Sequence, residues 1–209
     1  TMKKVNHISR NELNQFSEND LEFIYEQEKL KDFIGMPFSV ENIEKQIILK
    51  KKSYRSENRD SLVKALQMQY QTVRNNEKAL NEIERLHESN TFTVTTGHQL
   101  CLLGGPMYFF LKVIHVIKLT EVLNKKYPQY HFIPLFWMAS EDHDSDEIDH
   151  LNLFNKTIKW KHQQKGAVGR FSLDGLQHVF DELLSLFNES HRHELDRVFS
   201  SFNGDTYGE

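Results

Sequence analysis

Carboxylates and imidazoles crowd one short stretch of this chain: Glu141, Asp142, His143, Asp144, Asp146, Glu147, Asp149 and His150. So many carboxylates side by side are costly unless they are hydrated, paired with cations or used in catalysis. Three uses fit the residue types. The run suits the solvated start of a helix, because carboxylates are favoured at helix N-termini. Asp142, His143 and Asp144 offer hard oxygen and imidazole ligands for a metal. The same three residues also suit general acid–base work or the capture of a substrate amine, with a histidine as the side-chain type that exchanges protons near neutrality.

A second candidate lies earlier in the chain, where Thr96-Gly97-His98-Gln99 is followed by Cys101 and by Gly104-Gly105-Pro106. Glycines let backbone N–H groups approach an anionic ligand closely, and a helix opening at Pro106 turns its positive end toward that ligand. A tight strand-to-helix connection explains the same glycines equally well. Neither Gly-x-Gly-x-x-Gly nor Gly-Lys-Ser/Thr is present, so the dinucleotide and P-loop fingerprints are absent. His98 sits at a place that favours ligand contact over a core role. Tyr108 and Lys112 fall in the first turns of the following helix and reach toward the same pocket. Cys101 has no neighbouring base in sequence and reads as a small hydrophobe.

The elements that must position these residues form a strand, a helix and a strand. Residues 91–96 are β-branched and aromatic and predict a strand. Residues 107–126 predict a helix apolar around most of its circumference, hence buried against a sheet. The apolar run 132–139 predicts a second strand, covered on both faces. Such a βαβ unit closes right-handed by default and binds ligands beyond the carboxyl ends of its strands. The loop from Gly97 to Pro106 follows the first strand and the acidic loop follows the second, so both motifs are expected on one rim.

The first 90 residues read as helical. An acidic helix carries Leu21, Phe23, Ile24 and Tyr25 and stops near Gly35-Met36-Pro37. Ser39 is placed to cap the next, which ends in the solvated Lys50-Lys51-Lys52 turn. Residues 60–87 predict one long polar helix. Extended stretches near 157–160 and 170–173 precede two helices over 176–187 and 191–202. Two strands are few for a sheet, so the expected domain organisation is a helical segment over 1–90, packing on an α/β core over 91–209 that is incomplete.

Composition narrows the classes. Hydrophobic residues make up 38% and charged residues 27% of the 209, with a net charge of -4, the balance of a folded chain. A mildly acidic protein without a basic stripe argues against nucleic acid as a partner. One cysteine excludes an intrachain disulfide and a Cys-rich metal site and fits a reducing cytoplasm. Residues 1–6 lack the apolar stretch of a signal peptide, and Thr1 ahead of Met2 reads as an artificial extension. No apolar run reaches the roughly 18 residues that span a bilayer, so a soluble intracellular protein without membrane contact is expected.

At the two motifs the sequence resembles the bacillithiol biosynthesis cysteine-adding enzymes, also called bacillithiol synthases. The resemblance rests on Thr95-Thr96-Gly97-His98-Gln99, on Gly104-Gly105-Pro106-Met107-Tyr108 with Lys112, and on Pro134-Leu135-Phe136-Trp137-Met138-Ala139-Ser140-Glu141-Asp142-His143-Asp144 with Glu147-Ile148. It implies a Rossmann-like core of the class I nucleotidyltransferase type and a bacterial ligase that joins L-cysteine to glucosaminyl malate. By the same resemblance, the loop from Gly97 to Pro106 stands where the relatives' ATP-binding element lies. ATP or another nucleotide is then the implied cofactor, with no metal. Thr96, Gly97, His98, Gln99, Gly104, Gly105, Pro106, Tyr108, Lys112, Glu141 and Glu147 become implied binding residues, and Asp142, His143 and Asp144 catalytic ones. The family commonly has Gln where His98 stands. Its members are more than twice as long, with a coiled coil that implies a homodimer. A metal-dependent hydrolase using Asp142, His143 and Asp144, and a non-enzymatic helical interaction module, are the competing readings.

Overall fold

The computed structural model describes residues 7–71, 73–200 and 204–209. Residues 1–6, at the start considered above for a signal peptide, and 201–203, at the end of the last expected helix, lie outside this description. Two compact units divide the chain, Thr1–Ile83 and Glu84–Glu209.

The first unit is helical, with α1 (Glu18–Tyr25), α2 (Lys31–Ile34), α3 (Ile43–Ser53), α4 (Ser56–Tyr70) and most of α5 (Glu77–Arg85). Ser17 and Asp20 form a reciprocal capping box at the start of α1. The Ser39 hydroxyl accepts from the Asn42 N–H at 3.2 Å, so it closes the turn before α3 and does not cap the helix itself. The long helix expected over 60–87 is two helices. Asn75 takes a positive φ of 55°, and the Asn76 amide donates to the Tyr70 carbonyl at 2.6 Å. Asparagine tolerates that backbone and offers a side-chain donor to the last carbonyl of α4, which also accepts from the Val73 N–H at 3.2 Å, and local apolar periodicity does not register this.

In the second unit, β1 (Thr91–Gln99), α6 (Met107–Lys126) and β2 (His131–Ala139) follow in order. The strands pair in parallel, with Thr91 opposite His131 and Gln99 opposite Ala139. Phe109 of α6 meets Phe136 edge-on at 5.5 Å. The Asn124 side chain brackets Phe132, donating to its carbonyl at 2.9 Å and accepting from its N–H at 2.8 Å. Two expectations fail here. Although α6 packs on the sheet, Met107, Leu111 and Ile114 are exposed, and within it only Thr120 and Leu123 are fully buried. On β2, Pro134, Phe136, Trp137 and Met138 are exposed as well. One helix on a two-stranded sheet has a single face to cover.

Beyond the sheet come α7 (Ser145–Ile148), the antiparallel pair β3 (His150–Leu153) and β4 (Lys156–Lys159), α8 (Leu176–Ser185) and α9 (Glu189–Phe199). Their apolar faces close around Trp160, which is fully buried with Ile148, Ile158 and Val168. The Trp160 indole N–H donates to the Asp174 carbonyl at 2.8 Å, so this buried polar atom is satisfied. Phe180 of α8 stacks on Phe199 of α9 at 4.4 Å. Residues 204–209 run beside 169–172, with the Tyr207 N–H donating to the Phe171 carbonyl at 2.9 Å. Among the described residues, no helix is long and apolar enough to cross a membrane.

Candidate functional site

The first strand runs three residues further than its β-branched stretch. Gly97, His98 and Gln99 pair with Trp137, Met138 and Ala139, so they are strand residues and not part of the loop. Side chains alternate along a strand, and this sorts the site. His98 contacts Tyr108 and Phe109, which puts it, with Thr96 two residues before, on the face toward α6. Gln99 takes the opposite face. The rim expected to hold one set of residues holds two.

On the Gln99 side the two motifs meet. The Gln99 amide donates to Asp142 Oδ2 at 2.7 Å, across the strand ends. Asp142 Oδ1 accepts from the Asp144 N–H at 2.9 Å. The Gln99 amide, followed by the backbone N–H groups of Asp144 and His143, holds the Asp142 carboxyl below its ordinary value. The group is therefore a fixed anion, suited to holding a cation. His143, Asp144 and Glu141 lie beside it and are exposed. No side-chain hydrogen bond occupies the His143 imidazole among the described residues, which leaves it open to a ligand.

The α6 side is a second cluster. His98 Nδ1 lies 3.0 Å from the Gln99 carbonyl, and a carbonyl only accepts, so Nδ1 carries the proton. Nε2 then accepts from the Tyr108 hydroxyl at 2.9 Å. Lys112 donates to the Gly97 carbonyl at 2.9 Å. Cys101 Sγ stands 3.4 Å from His98 Nδ1, so a base does lie next to the cysteine, contrary to the sequence reading. That nitrogen is a donor and offers the thiol no lone pair. Burial, then the Glu147 charge, push the Cys101 thiol up. It remains a thiol at neutral pH.

The Gly-rich turn does not offer the anion cradle that its composition suggests. The Gly104 N–H donates to the Cys101 carbonyl and the Gly105 N–H to the Leu102 carbonyl, both at 3.0 Å. Positive φ at Gly104 and Gly105 makes this tight turn possible, and a Cβ on Gly105 would stand 2.6 Å from Cys101 Cβ. Pro106 precedes the first turn of α6 as its N-cap and has no N–H to give.

Asp149 is buried and pairs with Lys159 at 3.1 Å and His150 at 3.3 Å, which makes it a structural anion between β4 and the acidic loop. Glu147 and Asp146 are exposed. Among the described residues, no group of three or more His, Cys, Asp or Glu side chains is arranged to hold a metal ion. Sequence reasoning missed two contributors. Trp137 is 60% exposed on the Gln99 face, beside Gly97, where a Cβ would stand 3.0 Å from the Trp137 Cβ. Gly169 touches Ser140 from a short 3-10 helix further along the chain, a contact with no local signature.

Residues 3–205 match the family described as Bacillithiol biosynthesis BshC, N-terminal Rossmann-like domain. Curated relatives carry the name "Putative cysteine ligase BshC". The one from Flavobacterium johnsoniae is 39% identical over 193 residues, which is 92% of this chain and 36% of the relative. That from Christiangramia forsetii is 42% identical over 180 residues, 84% of this chain and 34% of the relative. In Cytophaga hutchinsonii the figures are 40% over 186 residues, 86% and 34%. The chain spans about a third of the length of these relatives. The mixed α/β architecture with a parallel strand pair agrees with the Rossmann-like description. With nearly its whole length matched, the chain belongs to the bacillithiol biosynthesis BshC family and carries its N-terminal Rossmann-like domain.

Proposed function

We propose that this chain supplies part of the site at which a cytoplasmic ligase joins the carboxylate of L-cysteine to the amine of glucosaminyl malate. The observation that carries the reading is the 2.7 Å bond from Gln99 to Asp142, which ties the two motifs into one polar surface at the carboxyl ends of parallel strands. A carboxylate fixed in its charged form is a poor base and a good anchor for an ammonium group. Asp142 therefore holds the substrate amine as its ammonium. One proton leaves to water to free the nitrogen lone pair, and the exposed His143 imidazole takes the second as the nitrogen attacks an activated carboxyl carbon. The bond to the leaving group on that carbon breaks as the amide bond forms.

Activation requires an energised co-reactant such as a nucleoside triphosphate. The glycine turn does not fit such a group, because the N–H groups of Gly104 and Gly105 are engaged within it and Lys112 is bound to Gly97. No step is assigned to the turn. The reading gives homodimer pairing to a coiled coil in the rest of the protein.

The test is a mass-spectrometric assay of the full-length protein with cysteine and glucosaminyl malate, with and without ATP, beside Asp142→Ala and His143→Ala. Product from the wild type that falls about 10²-fold or more in His143→Ala supports the assigned roles. No product from the folded wild type under either condition sinks the reaction.

A further inference from the structure

Besides its own bond from the Asp144 N–H to Asp142, the acidic loop is braced from another part of the chain. Its support is a short 3-10 helix, Val168–Arg170, whose first two N–H groups have no partner inside so short a helix. Both point into the loop: Val168 donates to the Asp142 carbonyl and Gly169 to the Ser140 carbonyl, each at 2.8 Å. Behind Gly169 lies a second glycine, with the Gly208 N–H donating to the Gly169 carbonyl at 3.0 Å. Three backbone segments thus lie one on another, and neither contact leaves room for a side chain. A Cβ at Gly169 would stand 2.5 Å from the Ser140 Cβ and 2.9 Å from its carbonyl oxygen. One at Gly208 would stand 2.8 Å from the Gly169 carbonyl oxygen. Val168 is fully buried in the Trp160 core, so the support is anchored to the most tightly packed part of the unit.

We propose that the Gly208–Gly169 stack is the positioning device of the site, setting where Ser140 and Asp142 stand and so bringing the Asp142 carboxylate to the Gln99 amide. Gly169 and Gly208 are positioning residues that touch no substrate and act through the backbone of the loop. The assignment rests on the reading of Asp142 as the anchor for the substrate amine. The contact it explains, Gln99 to Asp142, is measurable without any reaction.

The experiment compares wild type, Gly169→Ala and Gly169→Ala with Ser140→Gly in the full-length protein, using 13C-labelled aspartate carboxyls assigned through Asp142→Asn. In the wild type Asp142 titrates below the ordinary carboxylate range. In Gly169→Ala its titration moves upward as the bond from Gln99 is lost, kcat falls about 10²-fold and KM changes little. Removing the Ser140 Cβ relieves the closest clash and brings both readouts part of the way back, a recovery that general loss of stability does not produce. A folded Gly169→Ala protein with wild-type titration and kcat overturns the proposal. If Gly169→Ala does not fold, Gly208→Ala decides instead, through a smaller upward movement or through none. Absence of product in every protein removes the ligase reading and leaves the titration to judge the stack.

Discussion

Around Trp160 the apolar side chains close on one another, and Ile148, Ile158 and Val168 have no exposed surface. Across α6 and β2, side chains at least as hydrophobic stand in solvent: Met107 is 71% exposed, Leu111 58% and Trp137 60%. Hydrophobic sequence states what burial would stabilise, and neighbours decide whether burial happens. The Trp160 region has β3, β4, α8 and α9 to wrap it. In β1–α6–β2, one helix lies against one face of a two-stranded sheet. Rigidity and accessibility are thereby separated, with the acidic loop seated between a dense anchor and an open strand end.

The sharpest way to break this comparison is to cut the anchor. Trp160→Ala removes a fully buried indole and its bond to Asp174, so it should cost about 3–5 kcal/mol in chemical denaturation. A loss below about 1 kcal/mol would mean that the Trp160 region is no better packed than α6.

Next in size is the ion pair beside it. Lys159→Met leaves Asp149 buried with His150 beside it and should lower stability, by clearly less than Trp160→Ala because Lys159 is itself exposed and screened by water. Its hydrogen bond with Asp149, the main cause, raises the Lys159 amine above its ordinary value. A raised folded value means that the contribution is whole below the ordinary lysine value and disappears as pH rises through the folded one. Stability measured against pH should therefore converge for wild type and variant in strong alkali. Parallel curves would contradict the pair.

On α6, Ile114→Ser should change stability by no more than about 0.5 kcal/mol, because the side chain is already in water. A larger cost would show that this face is covered in solution. The smallest effect belongs to the site. The Asp142 carboxyl is depressed, so its bond from Gln99 is present above the ordinary carboxylate value and is lost as pH falls through the lower folded one. Gln99 side-chain amide signals should move over that acid range and stay fixed through neutrality. Movement centred at neutral pH would rule out Asp142 as the titrating partner.

Much of the fold was legible in the residues. Alternating Thr, Phe and Val marked β1, the apolar run marked β2, and their pairing follows from a helix of the right length between them. Features that depend on a single atom were not legible. The Asn76 amide that ends α4 leaves no mark in apolar periodicity. Gly97-His98-Gln99 looks like a loop because glycine and polar residues usually end strands, yet here the partner strand continues beside them. The approach of His98 Nδ1 to Cys101 Sγ, three residues on, depends on the backbone path at the end of β1, which residue types alone do not fix.

By itself the sequence determined which chemistries were available: a dense acidic loop with a histidine, a glycine turn, one thiol and a strand–helix–strand frame to carry them. Those are properties of residue type and short-range spacing, which local sterics and side-chain period enforce. Only the tertiary structure decided which donors were already taken, which strand face each residue joined, and that Gln99 would find Asp142. Each of those outcomes depends on groups far apart in the chain being brought within hydrogen-bond range. A displacement of about 1 Å undoes such a contact, and no local pattern records it.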